Sequence, residues 1–493
     1  MAIIYETYEM VVGLEVHAQL STRSKLFCGD SSAFGSEPNS HVSAITLAHP
    51  GSLPKMNRKA IESAVKMGLA CHSEIEIENY FARKNYFYPD LPKGYQISQH
   101  TTPICKGGCV TIKSKDGEKN IRLNRIHLEE DAGKSVHDAD PENTSVDYNR
   151  AGVALIEIVS EPDIRTGDEA YAYVTELRKL VRYLQICDGN MEQGSLRCDA
   201  NVSVRVKGNK KLGTKVEIKN LNSIRNVKRA IEFEGRRMIE MLEQGLGVLQ
   251  QTKSFDADKG ETFSIREKED ADDYRYFADP DLTKFFLTNE FIESVRKTIP
   301  VLQNERIKKY TTQYQLSEYD ATVLTEERDF ADFFEQIIGS FPALPKRNDT
   351  GVRPKSAANW MLGPVKSWLN EHNVEVGHFP VAPEKMATLI QMVDQGELSF
   401  STASTKLFDE LLMNPDLEPA AVAREKNLAQ ETNENAIEDL IDQVLNKFPE
   451  KVTEYKRGKK GLMGLFVGEV MKLSKGKADP KITNDILSQK LKS

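Results

Sequence analysis

Two hydrophobic periods divide the chain. Before about residue 290, apolar residues recur at every second position in short runs, separated by turns rich in Gly, Pro, Asn and Asp. That is the period of half-buried β-strands. In the first run Val12, Leu14, Val16, Ala18 and Leu20 share one face, and Gly13, Glu15, His17 and Gln19 share the other. The run from Leu196 to Val206 repeats the design, with Leu196, Cys198, Ala200, Val202 and Val204 set against Arg197, Asp199, Asn201, Ser203 and Arg205. Such strands pack one face on a core and keep the other polar, as antiparallel sheets do. Helical periodicity interrupts at Arg58 to Ala70, Asp168 to Leu184 and Val227 to Leu246. After Thr288 it takes over, at Glu290 to Lys297, Glu305 to Gln313, Ser317 to Thr325, Asp329 to Ser340 and Lys355 to Glu371. The segment Pro380 to Pro383 opens further helices through Met413. Asn414-Pro-Asp-Leu-Glu-Pro419 is the expected hinge, because prolines restrict the residues before them and stop helices. The pattern predicts an α+β protein: a mainly antiparallel domain over 1–295, a helical domain over 296–413 and a small helical tail over 414–493.

Composition narrows the class. With 493 residues, 39% hydrophobic and 28% charged, the chain has ample material for large cores, so disorder throughout is excluded. No apolar stretch approaches the length of a membrane span. Residues Met1 to Val12 lack the basic and apolar regions of a secretory signal. Six cysteines make no disulfide framework, and a reducing cytoplasm is the expected location. The net charge of −8 is unevenly spread. Asp409 to Asp442 holds ten acids and two bases, and Lys447 to the end holds twelve bases and five acids. The acidic stretch reads as a solvated helical surface. Lys456, Arg457, Lys459 and Lys460 bunch beside Gly458 and Gly461, which suits either a solubilising surface or a loop that meets phosphates.

Several common motifs are missing. There is no Gly-x4-Gly-Lys-Ser/Thr loop and no His-Glu-x-x-His. Gly245-Leu-Gly247 lacks the third glycine and preceding strand of a dinucleotide site. Cys105 and Cys109 have no second pair at zinc spacing, and read as a hairpin turn around Gly107-Gly108.

Four stretches place charges that structure alone explains poorly. In Val11-Val-Gly-Leu-Glu-Val-His17, Glu15 and His17 point the same way. In Ile126-His-Leu-Glu-Glu-Asp-Ala-Gly133, Glu129 shares a face with His127, while Glu130 and Asp131 crowd beside it. Three successive acids repel unless a cation or water intervenes. Glu157 lies between Ile156 and Ile158 in a run apolar on both faces. An unpaired carboxylate there is costly, and a metal, a shared proton, or Arg150 or Arg197 must compensate. Gly194-Ser-Leu-Arg-Cys-Asp-Ala-Asn201 offers Arg197, Asp199 and Asn201 on one face, or a plain ion-pair row. His17, Glu129 and Glu157 together supply one imidazole and two carboxylates. That donor set suits Mg2+ or Mn2+ better than Zn2+, and Mg2+ is the usual companion of ATP. Lys219, Arg266 and Lys268 supply cations of the kind that phosphate needs.

These stretches, in this order, resemble the GatB/GatE family of tRNA-dependent amidotransferase subunits. The resemblance runs through the segments ending at His17, Asp90 (Arg-Lys-Asn-Tyr-Phe-Tyr-Pro-Asp), Gln99 (Tyr-Gln-Ile-Ser-Gln), Lys134, Asp163, Asn201 and Phe277 (Asp-Tyr-Arg-Tyr-Phe), and on to Val467-Gly-Glu-Val-Met-Lys472. The chain lacks the large extra domain of the archaeal GatE branch and is similar to the GatB branch. The resemblance implies a cradle-like catalytic domain, a helical domain and a YqeY-like tail. It implies a ligase step in which ATP phosphorylates the side-chain carboxylate of Glu or Asp misacylated on tRNA(Gln) or tRNA(Asn). Ammonia, released from glutamine by an A subunit, then displaces the phosphate, and a C subunit completes a heterotrimer. It implies Mg2+ ligands at His17, Glu129 and Glu157, with Glu15 and Glu130 adjacent. Catalytic roles are expected at Glu15, Glu130, Arg197 and Asp199, and phosphate contacts at Lys219, Arg266 and Lys268. Many relatives carry four cysteines between Phe27 and Pro50 that bind zinc. Here Cys28 remains, and Asp30, Ser43 and Thr46 stand at the other positions. One thiolate makes no structural zinc site, so none is expected, and packing with the turn chemistry of Pro38 and Asn39 must hold the loop. The rival reading is a noncatalytic tRNA-binding scaffold; a small-molecule amide ligase is a third. A buried Glu157 and the acid triplet argue against the scaffold, and the basic tail against the small-molecule ligase.

Overall fold

The computed structural model describes residues 7–136, 142–267, 274–341, 352–429, 434–474 and 477–492. The chain divides into two compact units, Met1–Leu302 and Gln303–Ser493. Among the described residues, no helix is long and apolar enough to cross a membrane.

The first unit is built on a thirteen-stranded sheet. Its main strands are β1 (Tyr8–Gln19), β2 (Ala82–Asn85), β3 (Tyr95–Ser98), β4 (Gly117–Glu130), β5 (Ala154–Ser160), β6 (Leu196–Val206), β7 (Val216–Leu221), β8 (Gln251–Asp256), β9 (Glu261–Glu267) and β10 (Phe277–Ala278). They lie in the order β9-β8-β7-β6-β1-β5-β4-β3-β2-β10. The β7–β8 pair is parallel, and its neighbours on this path are antiparallel. The period-two pattern places the core as expected: Val12, Leu14, Val16 and Ala18 of β1 and Leu196, Cys198, Ala200 and Val202 of β6 are fully buried. Helices α1 (Arg58–Ala70), α2 (Gly167–Tyr183) and α3 (Ile224–Glu243) contribute to that same core. Asn57, Thr166 and Ser223 cap their first turns, each side chain accepting a backbone N–H; this is why the helices start within a few residues of the expected positions.

The Cys105–Cys109 segment is not a hairpin. Cys105–Lys106 and Cys109–Ser114 both pair with β4, one after the other. Gly107 and Gly108, at φ 62° and 93°, form a kink between them. A Cβ on Gly108 would lie 2.5 Å from the Cys71 carbonyl oxygen, so the kink needs glycine for space as well as for conformation.

The second unit is helical and holds two apolar cores. One runs from Tyr310 to Leu428 around the fully buried Trp360, Met361 and Phe334. The other runs from Ile437 to Leu491 around Ile441, Phe466 and Leu487. The segment expected to be a hinge is anchored in the first core. Lys385 Nζ donates to the Pro415 carbonyl at 2.6 Å, and Val422 and Ala423 of the helix Pro419–Glu425 are buried there.

Candidate functional site

Alternation along the strands exposes one polar face of the sheet, and the ladder register lines up its charged groups. His17 on β1 stands opposite Glu157 on β5, and Glu157 stands opposite His127 on β4. On the other side His17 faces Arg197 on β6, and Glu15 faces Asp199. Two residues along each strand is the same face, so Glu129 joins His127 and Glu157.

One ligand atom each from His17, Glu129 and Glu157 lies within 4.8 Å of the others. His17 Nε2 is 3.6 Å from Glu157 and 3.8 Å from Glu129. A hard cation with ligands at about 2.1 Å holds them roughly 3–4 Å apart, so the three need close in only modestly. Two carboxylates and one imidazole, without thiolates, fit Mg2+ or Mn2+. In the metal-free state the histidines supply the positive charge these carboxylates need. Burial pulls the pKa of His17 down, but the hydrogen bond to Glu157 and the charges of Glu157, Glu129 and Asp199 lift it to about 9. His127 is likewise lifted to about 9, against burial, by Glu157 and Glu129. Burial works to raise the pKa of Glu157, but His127 and His17 hold it well below the usual carboxylate range. The group therefore gathers positive charge around Glu157, the task a metal ion performs.

The expected arginine partners of Glu157 are a correction. Arg197 grips Asp131 with two bonds of 2.9 and 3.0 Å. Arg150 lies 3.8 Å from Asp131 and donates to the carbonyls of Ala132 and Gly133. Asp131 also accepts from Gln19. Arg197 thus sits at the rim of the metal-ligand group without touching Glu157.

Glu15 and Asp199 form a second group with Glu217, again with ligand atoms within 4.8 Å. Lys219 stands among them, 3.0 Å from Glu217 and 3.4 Å from Asp199. Burial works to lower its pKa, but those carboxylates raise it overall. Glu15 is pushed up by burial and by the charge of Glu157, while Asn201 donates to it at 2.9 Å. Arg266 pairs in register with Thr252, which pairs with Glu217, so its backbone lies in line with this group. Lys268 lies outside the described residues.

Glu130 is not brought to either group. As the neighbour of Glu129 it turns to the opposite face, where it pairs with Lys93 and accepts from the Ile97 backbone at 2.8 Å. Four polar groups missing from the expected set complete the face: His127, Asp131, Glu217 and Lys84. Period-two spacing from Glu129 or Lys219 marks the first three. Lys84 is half-buried, and its pKa, lowered by burial, is raised overall by Glu129, two tyrosines and Glu157.

The Cys28 loop is held by hydrogen bonds. Asp30 accepts from the Ser43 backbone at 2.8 Å and from the Thr46 hydroxyl at 2.5 Å. Cys28 lies 3.5 Å from that hydroxyl. Lys25 donates to the carbonyls of His41 and Tyr148. Asn39, in the left-handed region at φ 58°, bonds to Asp147, Val146 and Tyr148.

Comparison with known proteins decides the family. The GatB/GatE catalytic domain matches residues 10–293, and the GatB domain matches 343–491. The chain belongs to the GatB/GatE family. It is 49% identical to the B subunit of the aspartyl/glutamyl-tRNA(Asn/Gln) amidotransferase of Alkalilimnicola ehrlichii, over 99% of this chain and 100% of the relative. It is 46% identical to the protein of the same name from Pelagibacter ubique, over 98% and 96% respectively. Every segment of the polar face falls within the first family match.

Proposed function

We propose that this chain is the B subunit of an aspartyl/glutamyl-tRNA(Asn/Gln) amidotransferase and carries the ATP-dependent activation step. The observation that carries the reading is the convergence of His17, Glu129 and Glu157 on one polar face within a family-matched domain. A carboxylate is a poor acyl donor, and phosphorylation turns its oxygen into a leaving group that ammonia displaces. His17, Glu129 and Glu157 would hold Mg2+, which would supply charge neutralisation for phosphoryl transfer. His127 steadies Glu157 from the far side. Lys219, poised between Asp199 and Glu217, meets the rest of the triphosphate; the Arg266 backbone on β9 lies along the same register. Glu15 and Asp199 set the field around Lys219, and Arg197 with Asp131 fixes the rim. Glu130 holds the β3–β4 junction through Ile97 and Lys93. In this reading ammonia comes from glutamine through an A subunit, with a C subunit in the same complex, in the cytoplasm. In the same reading the core from Ile437 to Leu491 binds the tRNA body.

The test is a transamidation assay with the A, B and C subunits on Glu-tRNA(Gln) and on Asp-tRNA(Asn). ATP-dependent phosphate release on misacylated tRNA, lost in Glu157→Gln, supports the reading. Release that is unchanged in that variant refutes the activation role and leaves the noncatalytic scaffold.

A further inference from the structure

A run of aromatic rings lies beside the metal-ligand group. Tyr88, Tyr86, Tyr274, Tyr276 and His100 follow one another with centroid separations of 6.2, 6.0, 6.1 and 4.0 Å. They come from three separate places: just past β2, just past β3 and just before β10. Rings gathered from distant segments usually make a core, but these are not buried. Tyr88 is 56% exposed, His100 is exposed, and Tyr86, Tyr274 and Tyr276 are half-buried. A cation is set into the run: Lys84 Nζ lies 4.8 Å from the Tyr274 ring centre and 5.6 Å from that of Tyr86. Ser98, at the end of β3 next to His100, donates to Glu129 at 3.3 Å. The rings therefore border the candidate metal ligands.

Exposed rings interleaved with a cation are what unpaired nucleic-acid bases stack on. An adenine ring could come from ATP or from the end of an RNA, and the face itself separates the two. Its opposite end, at β6 and β7, holds Lys219, the cation assigned to the triphosphate. The aromatic end is left for the second substrate. In an aminoacyl-tRNA the terminal base and the esterified side chain belong to one nucleotide. A base stacked next to Lys84 therefore leaves the carboxylate beside Glu129, where it is phosphorylated.

We propose that the Tyr88-Tyr86-Tyr274-Tyr276-His100 run is a stacking platform for the unpaired 3′-terminal adenosine of the aminoacyl-tRNA. This rests on the activation reading for its choice of substrate. The platform grips the base, Lys84 meets the adjoining backbone, and the ester is held by its own nucleotide.

The experiment uses the full chain in its assembled complex and a tRNA whose terminal adenine is replaced by 2-aminopurine, a fluorescent base quenched by stacking. No ATP or metal is added, so this readout fails or succeeds independently of phosphate release by the complex. Binding to the native protein should quench the probe. Tyr86→Leu with Tyr276→Leu should abolish most of the quenching and weaken tRNA binding about five- to one-hundred-fold, with no further loss when the tRNA is shortened by its terminal nucleotide. Tyr88→Ala and His100→Ala, both at exposed positions, should each give a partial loss; they decide the matter alone if the double variant does not fold. Full quenching retained in all the folded variants overturns the proposal. So does quenching of 2-aminopurine riboside triphosphate but not of the tRNA, which assigns the rings to the nucleotide.

Discussion

His127 Nε2 stands 3.2 Å from Glu157 Oε2, directly across the ladder between neighbouring strands. His17 approaches the same oxygen at 3.6 Å from the strand on the other side. Glu157 is thus enclosed between two imidazoles, with its side chain only 12% exposed. A carboxylate so placed needs a positive partner, and the two histidines or a metal ion can serve.

Glu157→Gln removes that charge and little volume. ATP-dependent phosphate release on misacylated tRNA should fall by roughly 10²–10³-fold, the scale of losing a charge-stabilising group at a reacting centre. The far-ultraviolet circular dichroism should not change. Mn2+ binding followed by electron paramagnetic resonance should weaken in parallel. Phosphate release within twofold of the native rate shows that Glu157 plays no part in the phosphoryl step.

The same geometry fixes a pH dependence for the metal-free protein. His17 and His127 are both lifted to about 9 in the folded state, from an ordinary value of 6.5. A raised folded pKa means that the native state binds the proton more tightly than the unfolded chain does. Its contribution to stability is fully present below pH 6.5 and is lost as the pH rises through about 9. The metal-free Tm should therefore fall across that window. His127→Gln should flatten the fall. A divalent ion competes with the proton for His17, so added Mg2+ should raise Tm more at pH 9 than at pH 6.5. A metal-free Tm that is level from pH 6.5 to 9 contradicts the assignment.

The strands carrying this site are legible in the sequence because their alternation is strict. In β1 and β6 a buried small or branched residue is followed by a polar one for most of the run, which defines both the core face and the polar face that carries His17 and Arg197. β5 is harder to read. Leu155 lies on the same face as Glu157 yet is fully buried, so the run looks apolar on both faces and suggests an arginine partner. What separates His127 from Arg197 as that partner is register, a long-range property set by how three strands pair. The kink at Gly107-Gly108 escapes a local reading for the same reason: two short strands share β4, and turn chemistry cannot distinguish that from a hairpin. Capped helix starts, by contrast, depend on one side chain and its own backbone, and the sequence locates them closely.

The Cys28 loop gives a test of metal-free stabilisation. Asp30 is half-buried, and despite burial the bonds from Thr46 and Ser43 lower its pKa. Asp30→Ala removes the acceptor that the Ser43 N–H and the Thr46 hydroxyl share and should cost about 1–3 kcal/mol, read as a lower denaturant midpoint at unchanged slope. Elemental analysis of the native chain should find no stoichiometric zinc. One zinc per chain that resists mild chelation shows that other groups, such as His41 or His49, replace the missing thiolates.

The basic turn in the second unit makes the last test. Lys456, Arg457, Lys459 and Lys460 are all exposed, at the junction between the helix Pro449–Lys456 and the short turn Lys460–Leu462. Gly458 reverses the chain there at φ 109°. Lys459 is partly neutralised by Glu454 at 3.0 Å, and Lys460 lies over the Tyr455 ring. Lys456 and Arg457 are exposed as well, and under this reading they should be the stronger phosphate contacts. Phosphate contacts position a nucleic acid without reading its sequence. Replacing all four by Ala should therefore weaken different tRNAs similarly and raise the apparent KM for tRNA, while kcat at saturating tRNA is retained. Each phosphate partner removed should flatten the dependence of log affinity on log salt by about 0.7–0.9, with Lys456→Ala and Arg457→Ala together giving most of the change. If the fourfold variant binds tRNA as tightly as the native chain at both low and moderate salt, the basic turn is a solubilising surface and the tRNA body is bound elsewhere.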